Sequence, residues 1–581
     1  MAMSRLRQLG EYLHPHWKQV LWGTGTLFIV NALGVYIPLL IRDSIDNLRQ
    51  AFSFNQVLSY VVLILVLATI MWIIRMISRL IIFGVGRQVE FDLRQRIFEH
   101  LLTLEPAYFS TNTCGDLINR ATSDVDNIRR LVGFAVLSVI NMIFAYALTL
   151  PAMLAIHISL SLLAIAVYPI ILFTVQIFSR QLQRQQLKVQ EGLSEMSELI
   201  QEDIGGIALI KIYAQEANEI HAFDELNKTL LKANLKLAQI RNFLFPIIDG
   251  LSYISLLLLL TFGTKEITAG TISIGDFIAL IILVEQLVFP TALLGFTVTA
   301  YQRGEVSIDR IAAIFQARPK VRDQDQLKSI SSLNIKGKLV AINLSYTYPG
   351  AKTPALKKIN VIINPGEMVA IIGPIGCGKS TLANTLPRLL EIAPGQLFLD
   401  DHDITELPLA QLRGAIAYVP QDSFLFNTSI ENNIRYGDHL KERYEVELAA
   451  KKSQIHQEIM NLPQKYDTFV GERGITLSGG QRQRTALARA LLIDAPILIL
   501  DDALSSVDNK TATQVLNSLS KEQGKTVIFI SHHLSAAAQA DRILVMDEGK
   551  IVQIGTHETL LQQPGLYQSL WNQQKFKEVY K

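Results

Sequence analysis

Charged residues are absent from long blocks of the first half of the chain. Residues 20–41 run for 22 positions without Asp, Glu, Lys or Arg, and residues 57–74 for another 18. The stretch 131–179 lacks all four types. Residues 250–264, extended back past Asp249 to Phe243, and residues 277–301, interrupted by Glu285, repeat the pattern. A helix rises 1.5 Å per residue, so about 20 apolar residues cross a hydrocarbon core of about 30 Å. The longest block accommodates two crossings with a turn near residues 157–159, and the pattern predicts six spans.

Between spans two and three, and again between four and five, lie polar stretches (87–130 and 180–242) rich in Leu, Ile, Glu, Gln and Lys at helical spacing. Folded back on itself, each gives arms of about 20 to 30 residues that extend the membrane helices by about 30 to 45 Å. Glycine is costly inside a helix, so Gly115-Asp116 and Gly205-Gly206 are the expected points of reversal. Arg5, Arg7 and Lys18 belong to the same side as the arms, whereas the other loops carry only Arg42, Arg49 and Lys265. The positive-inside rule therefore makes the arms cytoplasmic. Past Arg318-Pro319 the pattern changes. A polar linker, 320–336, leads into short β-branched runs alternating with helical ones, an α/β arrangement. The expected fold is multidomain: a six-helix transmembrane domain (1–319) with long cytoplasmic helical extensions, then an α/β domain (337–581).

Composition agrees and narrows the classes. At 581 residues the chain has room for two to four domains. Its 49% hydrophobic and 18% charged content, with a mean hydropathy of +0.27, favours a membrane protein. A net charge of +2 with no Lys/Arg-rich run argues against nucleic acid as a partner. Only Cys114 and Cys377 occur, far apart, which argues against a disulfide framework or a cysteine metal site. The first apolar block has no small-residue cleavage pattern and reads as a retained span. Arg75 and Asp249 sit near span ends and can snorkel to the interface. Glu285 is more interior; it lines a hydrated cavity or is absorbed by packing, and the sequence leaves both open.

The chemistry concentrates in the second half. Gly373-Pro374-Ile375-Gly376-Cys377-Gly378-Lys379-Ser380, followed by Thr381, fits G-x-x-x-x-G-K-[ST] and stands between an apolar strand-like run and a helix-compatible one. Its glycines turn backbone N–H groups onto phosphates, the helix adds its positive end, Lys379 adds a cation, and the Ser380 hydroxyl can ligate Mg²⁺. The apolar run 497–500 delivers Asp501 and Asp502 at its end. In a phosphate-loop protein the first holds Mg²⁺ and the second orients or deprotonates water. The run 527–530 similarly delivers Ser531, His532 and His533, placing a histidine within range of a γ-phosphate. Tyr348, about twenty-five residues before the phosphate loop, is an aromatic that could stack on adenine or simply pack. Ser478, Gly479, Gly480 and Gln481 open a run of strong helix formers and make a second anion-binding helix terminus. One nucleotide needs only one cradle, so a second implies two sites or a shared one.

Together these residues resemble the ATP-binding domain of ABC transporters, and the whole chain is similar to an ABC exporter half-transporter, nearly end to end. The Leu477-Ser478-Gly479-Gly480-Gln481 signature separates that family from other phosphate-loop ATPases. The resemblance implies ATP and Mg²⁺ as cofactors, with Tyr348 as the adenine-stacking aromatic and Gln421 as the Q-loop glutamine that joins Ser380 and Asp501 at the metal. It also implies Glu472 in the Gly471-Glu472-Arg473-Gly474 loop, Asp501 as the Walker B aspartate, Asp508 as the D-loop aspartate and His532 as the switch histidine. Two ATPs would lie between two such domains, each cradle facing the other subunit's signature. Residues 108–129 resemble the first intracellular loop with its coupling helix, and the segment around Gly205-Gly206 the second.

One position departs from the common pattern: Asp501-Asp502 stands where most active members have Asp-Glu. An aspartate is one methylene shorter, and a displacement of about 1 Å can cost on the order of 10²-fold in rate. The pair resembles the degenerate subunit of heterodimeric bacterial multidrug exporters, with Asp502 and His532 as the catalytic positions of a slow site. The resemblance thus implies a multi-pass protein of the inner cell membrane with its ATP-binding domain in the cytoplasm. It would export a small hydrophobic or amphipathic compound by alternating access. Its partner would be a second half-transporter, a different chain ahead of a second copy. Lipid translocation by a homodimer, or an ATP-gated channel, are the alternatives.

Overall fold

The computed structural model describes residues 2–50, 54–323, 335–507, 509–520 and 524–579. Asp508 and most of the expected linker (324–334) lie outside the described residues. The chain divides into two compact units, one of Met1–Leu102 with Cys114–Ala317, the other of Thr103–Thr113 with Arg318–Lys581.

Among the described residues six helices are long and apolar enough to cross a membrane: Arg7–Leu48, Phe54–Thr103, Cys114–Ile156, Ile158–Gly205, Glu216–Ala269 and Ile274–Gln316. Hydrocarbon offers no hydrogen bonds, so a spanning segment must satisfy its backbone internally, as a helix does. The second helix has 50 residues and the fifth 54. At 1.5 Å per residue they are about 75 and 80 Å long, well over twice the thickness of the core. The third and fourth separate where expected, at His157, whose backbone is extended and whose Nδ1 accepts from the Leu160 N–H at 3.3 Å. Gly205 ends the fourth helix, and a single short helix, Ile207–Ile212, precedes the fifth.

The first reversal is elsewhere than expected. The second helix stops at Thr103, a short helix occupies Pro106–Thr111, and the third begins at Cys114, so Gly115 and Asp116 lie in a first helical turn. Proline lacks an N–H and has φ preset for a helix start, so Pro106 both ends the preceding helix and opens the next. A glycine in a first turn breaks nothing.

In the membrane region the sixth helix is the central element. Leu280, Leu283 and Leu287 pack with Met153, Tyr168 and Leu259 from the third, fourth and fifth. Toward the arms it approaches the third closely: a Cβ on Gly304 would stand 2.7 Å from Leu131 Cδ2. One turn and a half further on, Arg310 reaches back to the third helix and pairs with Asp116 and, at 3.1 Å, with Asp124. Asp124 is only 4% exposed and also accepts from Ser307 Oγ at 2.7 Å. A buried charge stripped of its partner is costly, about 3 kcal/mol or more. Arg310→Met is therefore expected to lower unfolding stability in detergent by about that amount. Adding Asp124→Asn should recover much of the loss. An additive double variant would show that the pair is not coupled.

Among the described residues the second unit holds ten strands: β1 Leu339–Tyr346, β2 Leu356–Ile363, β3 Met368–Ile372, β4 Leu397–Leu399, β5 His402–Asp403, β6 Ile416–Val419, β7 Ile497–Asp501, β8 Thr526–Ile530, β9 Arg542–Asp547 and β10 Lys550–Gly555. The first sheet, ordered β2-β1-β4-β5, is antiparallel. The second runs β10-β9-β3-β8-β7-β6 and is parallel apart from β10. Strand side chains alternate between faces. Ile497 and Ile499 of β7 join Ile528 and Ile530 of β8 in one core, while Leu498 and Leu500 join Val527 and Phe529 in the other. With both faces covered, the central strands read as unbroken apolar runs.

Candidate nucleotide site

Parallel neighbours end at the same edge, and in sheets of this kind ligands bind outside the carboxyl ends of the strands. The order β3-β8-β7-β6 brings four loops together there: the phosphate loop after β3, His532 after β8, Asp501 and Asp502 at the end of β7, and Gln421 after β6. A cavity of about 250 Å³ collects Tyr348, Ile375, Gly376, Gly378, Lys379, Ser380, Thr381, Gln421, Asp501, Asp502 and His532.

The loop's shape depends on glycine at two crowded points. Gly373 has φ +153° and a Cβ there would come 2.1 Å from Met546 O; Gly378 has φ +101° and a Cβ would meet Ala355 O at 2.7 Å. Helix Lys379–Thr385 starts immediately after. Lys379 is buried, and its Nζ donates to Gly373 O at 2.9 Å and Pro374 O at 2.8 Å. These carbonyls hold the ammonium over the loop. Cys377 is buried beneath it, and burial pushes its thiol up, so it stays a neutral packing group.

Ser380 Oγ donates to Asp501 Oδ1 at 2.9 Å, and Tyr418 OH donates to Asp501 Oδ2 at 3.2 Å. Burial holds the Asp501 carboxyl above its ordinary value and the charge of Asp502 acts in the same sense, while the two hydrogen bonds oppose the shift. Asp502 is 8% exposed and adopts φ +50°, a left-handed conformation that Asp tolerates better than most residues. Its N–H donates to Ile530 O at 3.2 Å, tying the turn to β8. His532 is exposed. Tyr348 is half-exposed, stands edge-on to Tyr346 with ring centroids 5.0 Å apart, and shares a hydrogen bond of 3.1 Å with Thr381 Oγ1.

Ser478, Gly479, Gly480 and Gln481 do not line this cavity. They start helix Gly479–Leu492 with a reciprocal cap. Ser478 Oγ accepts from the Gln481 N–H at 3.2 Å, and Gln481 Oε1 accepts from the Ser478 N–H at 3.0 Å. Glu472 lies in the one-turn helix Glu472–Gly474 ahead of them. Tyr418 and Gln483 carry no motif and were not singled out by the sequence pattern. Gln483 is buried, donates to Ser505 Oγ at 2.9 Å and accepts from the Ser506 N–H at 2.8 Å. It joins the capped helix to the segment following Asp502.

The donors at the strand ends suit a hard cation. Hydroxyl, carboxylate and amide oxygens of Ser380, Asp501 and Gln421 are what Mg²⁺ takes alongside phosphates. The loop with its buried ammonium suits the phosphates themselves. Glu285, in the first unit, lines a separate cavity of about 410 Å³ together with Arg75 and Arg79.

A phosphate cradle at a parallel sheet edge, a capped glycine pair outside it and six membrane-length helices define the class of an ATP-driven membrane transporter. The family models agree: that of the ABC transporter transmembrane region matches residues 20–291, and that of the ABC transporter matches residues 356–505. The chain is 34% identical over 580 residues to a multidrug resistance-like ATP-binding protein, MdlA, of Buchnera aphidicola, covering 99% of each chain. It is 31% identical to the MdlA of Escherichia coli, covering 99% of this chain and 97% of that one. It is also 31% identical to an ATP-dependent lipid A-core flippase of Syntrophus aciditrophicus, covering 99% and 95%. A solved bacterial Atm1-family ABC exporter with ATP bound shares the fold, with TM-score 0.78 and 24% identity over 96% of this chain and 99% of that one. The chain belongs to the ABC transporter family, among the exporters that fuse a transmembrane region to an ATP-binding domain. It is a multi-span membrane protein whose ATP-binding domain is cytoplasmic, and it couples ATP hydrolysis to export.

A cation held by Asp501 would have to displace any proton on it, so if Asp501 is a Mg²⁺ ligand, Mg²⁺ binding to the nucleotide-loaded chain is expected to weaken as pH falls through a range above the ordinary Asp value of about 3.9. Tyr418→Phe removes a bond that favours the ionised form and should move that midpoint to higher pH. Calorimetric Mg²⁺ titrations across a pH series measure it; an unmoved midpoint would remove Tyr418 from the account.

Proposed function

We propose that the chain is one half of a heterodimeric exporter of a hydrophobic or amphipathic compound, and that its own phosphate cradle serves a slowly hydrolysing ATP site. In this reading Gly373 to Thr381 hold the phosphates and Tyr348 the adenine. Ser380, Asp501 and Gln421 hold Mg²⁺, which when bound neutralises charge on the β- and γ-phosphates. Asp502 and His532 stand where the attacking water and the γ-phosphate would be handled. Ser478 to Gln481 serve the partner's ATP, consistent with their lying outside this chain's own cavity.

The observation that carries the slow-site reading is Asp502. It lines the cavity from the end of β7, and its N–H is bonded to Ile530 O of β8, which ties the backbone there to the sheet while the side chain is one methylene short. A shortfall of about 1 Å corresponds to about 10²-fold in rate. Asp502→Glu is therefore expected to raise ATP turnover of the chain purified alone by up to about that factor, and Asp502→Asn to leave it near background. Fast hydrolysis by the unsubstituted chain alone, lost in Asp502→Asn, would favour a competent homodimer.

Export itself is tested by uphill flux of an amphipathic compound into inside-out vesicles. Flux is expected with the intact chain and its partner, and Lys379→Ala should abolish it by weakening ATP binding by about 10- to 100-fold. ATP-dependent conductance without accumulation would favour a channel, and flux confined to a bilayer lipid would favour a flippase.

A further inference from the structure

His532, at the mouth of the nucleotide cavity, is an exposed side chain with no hydrogen bond of its own among the described residues. Where its ring stands is therefore set by the backbone on either side of it. On the amino side, the Ser531 N–H donates to Ile371 O of β3 at 3.4 Å and prolongs the sheet. On the carboxyl side the chain enters the short helix Leu534–Ala537, whose buried Leu534, Ala536 and Ala537 belong to one of the two cores.

That helix starts without a cap from its own segment. An N-cap is usually Ser, Thr, Asp or Asn, whose side-chain oxygen accepts from a leading N–H. Here it is His533, whose side chain makes no such bond. The nearby hydroxyl of Ser531 is engaged with the N–H of His533 at 3.0 Å and its carbonyl at 3.3 Å. The Leu534 N–H, in a residue only 4% exposed, is instead accepted by Gln574 Oε1 at 2.9 Å, from 40 positions along the chain.

Gln574 belongs to the last helix, Leu566–Val579. Tyr567, Trp571 and Gln574 follow one another at spacings of four and three, so they share one face of it. Tyr567 is buried; its N–H donates to Gln553 Oε1 of β10 at 3.0 Å, and its hydroxyl is bonded to His557 Nδ1 at 2.6 Å. Trp571 lies against the His557 ring with centroids 4.6 Å apart. The last helix is thus fixed to β10 and to the helix His557–Gln562, and from there Gln574 reaches across. A Ser or Asp at position 533 could cap the short helix locally. The distant glutamine adds a fixed point for the chain two residues after His532.

The geometry points to Gln574 as a positioning residue for ATP turnover: by holding the Leu534 N–H it fixes the backbone from which His532 faces the γ-phosphate position. This rests on the role given to His532 above. A displacement of about 1 Å at a reacting group costs on the order of 10²-fold in rate, and releasing one side of a two-sided anchor is expected to cost about tenfold.

Two readouts separate the bond from its consequence. In the full-length chain without nucleotide, hydrogen exchange at the Leu534 amide is expected to quicken about tenfold in Gln574→Leu. It should stay at the parent rate in Gln574→Glu, whose carboxylate accepts the same bond. ATP turnover is measured on the full-length chain both unsubstituted and with Asp502→Glu, so that a slow site is still read. Gln574→Leu should lower kcat about tenfold at unchanged KM for ATP, and Gln574→Glu should keep it. Once His532 is replaced by Ala, Gln574→Leu should cost nothing more, whereas a merely destabilised helix would lower turnover whatever stands at position 532. Unchanged exchange in Gln574→Leu, a raised KM with unchanged kcat, or additive losses with His532→Ala overturn the inference. If His532→Ala itself leaves turnover unchanged, the role given to His532 falls and the inference with it. If that variant is slow and Gln574→Leu is not, the inference alone falls. Gln574→Asn, one methylene too short, should match the leucine variant and decides if the latter does not fold.

Discussion

The nucleotide-binding unit depends on the parallel pairing of β3, β8, β7 and β6. The cavity draws on segments far apart in sequence: Ser380 and Asp501 are hydrogen-bonded across 121 positions. What joins them is that neighbouring strands run the same way, so their carboxyl ends share an edge. That pairing in turn needs both faces of the sheet covered, since strands apolar on both sides cannot face water. The two cores provide the cover, and the alternation of Ile and Leu along β7 is the local record of it.

Much of this was legible in the primary structure because the signals were physical extremes. Long stretches almost free of charge have few homes other than a bilayer, and among the described residues they appear as six membrane-length helices. The phosphate loop was legible for a related reason, since Gly373 and Gly378 meet backbone at distances no side chain tolerates. The misplaced reversal had a local cause: Gly115 and Pro106 both disfavour a helix interior, but only proline removes a hydrogen-bond donor, and it decided where the helix stopped.

What was not legible depends on contacts between distant segments. Tyr418 is an ordinary strand aromatic until β6 is laid beside β7, when its hydroxyl reaches Asp501. Gln483 sits next to a recognisable signature yet gains its meaning from Ser505 and Ser506. The left-handed turn at Asp502 has no sequence marker beyond its being an Asp.

The reciprocal cap between Ser478 and Gln481 has a thermodynamic corollary. A helix start left to itself is a frayed ensemble, and an anion that ordered it would bear the conformational entropy of doing so, on the order of 1 kcal/mol per residue fixed. Here two side-chain bonds already order the first turn, and Gly480 packs so closely that a Cβ on it would stand 2.9 Å from Ser506 O. Meeting a phosphate at this surface would then be close to a rigid-body event. Its free energy would track the electrostatics of the approach more than any local folding, and its strength would be correspondingly sensitive to ionic strength.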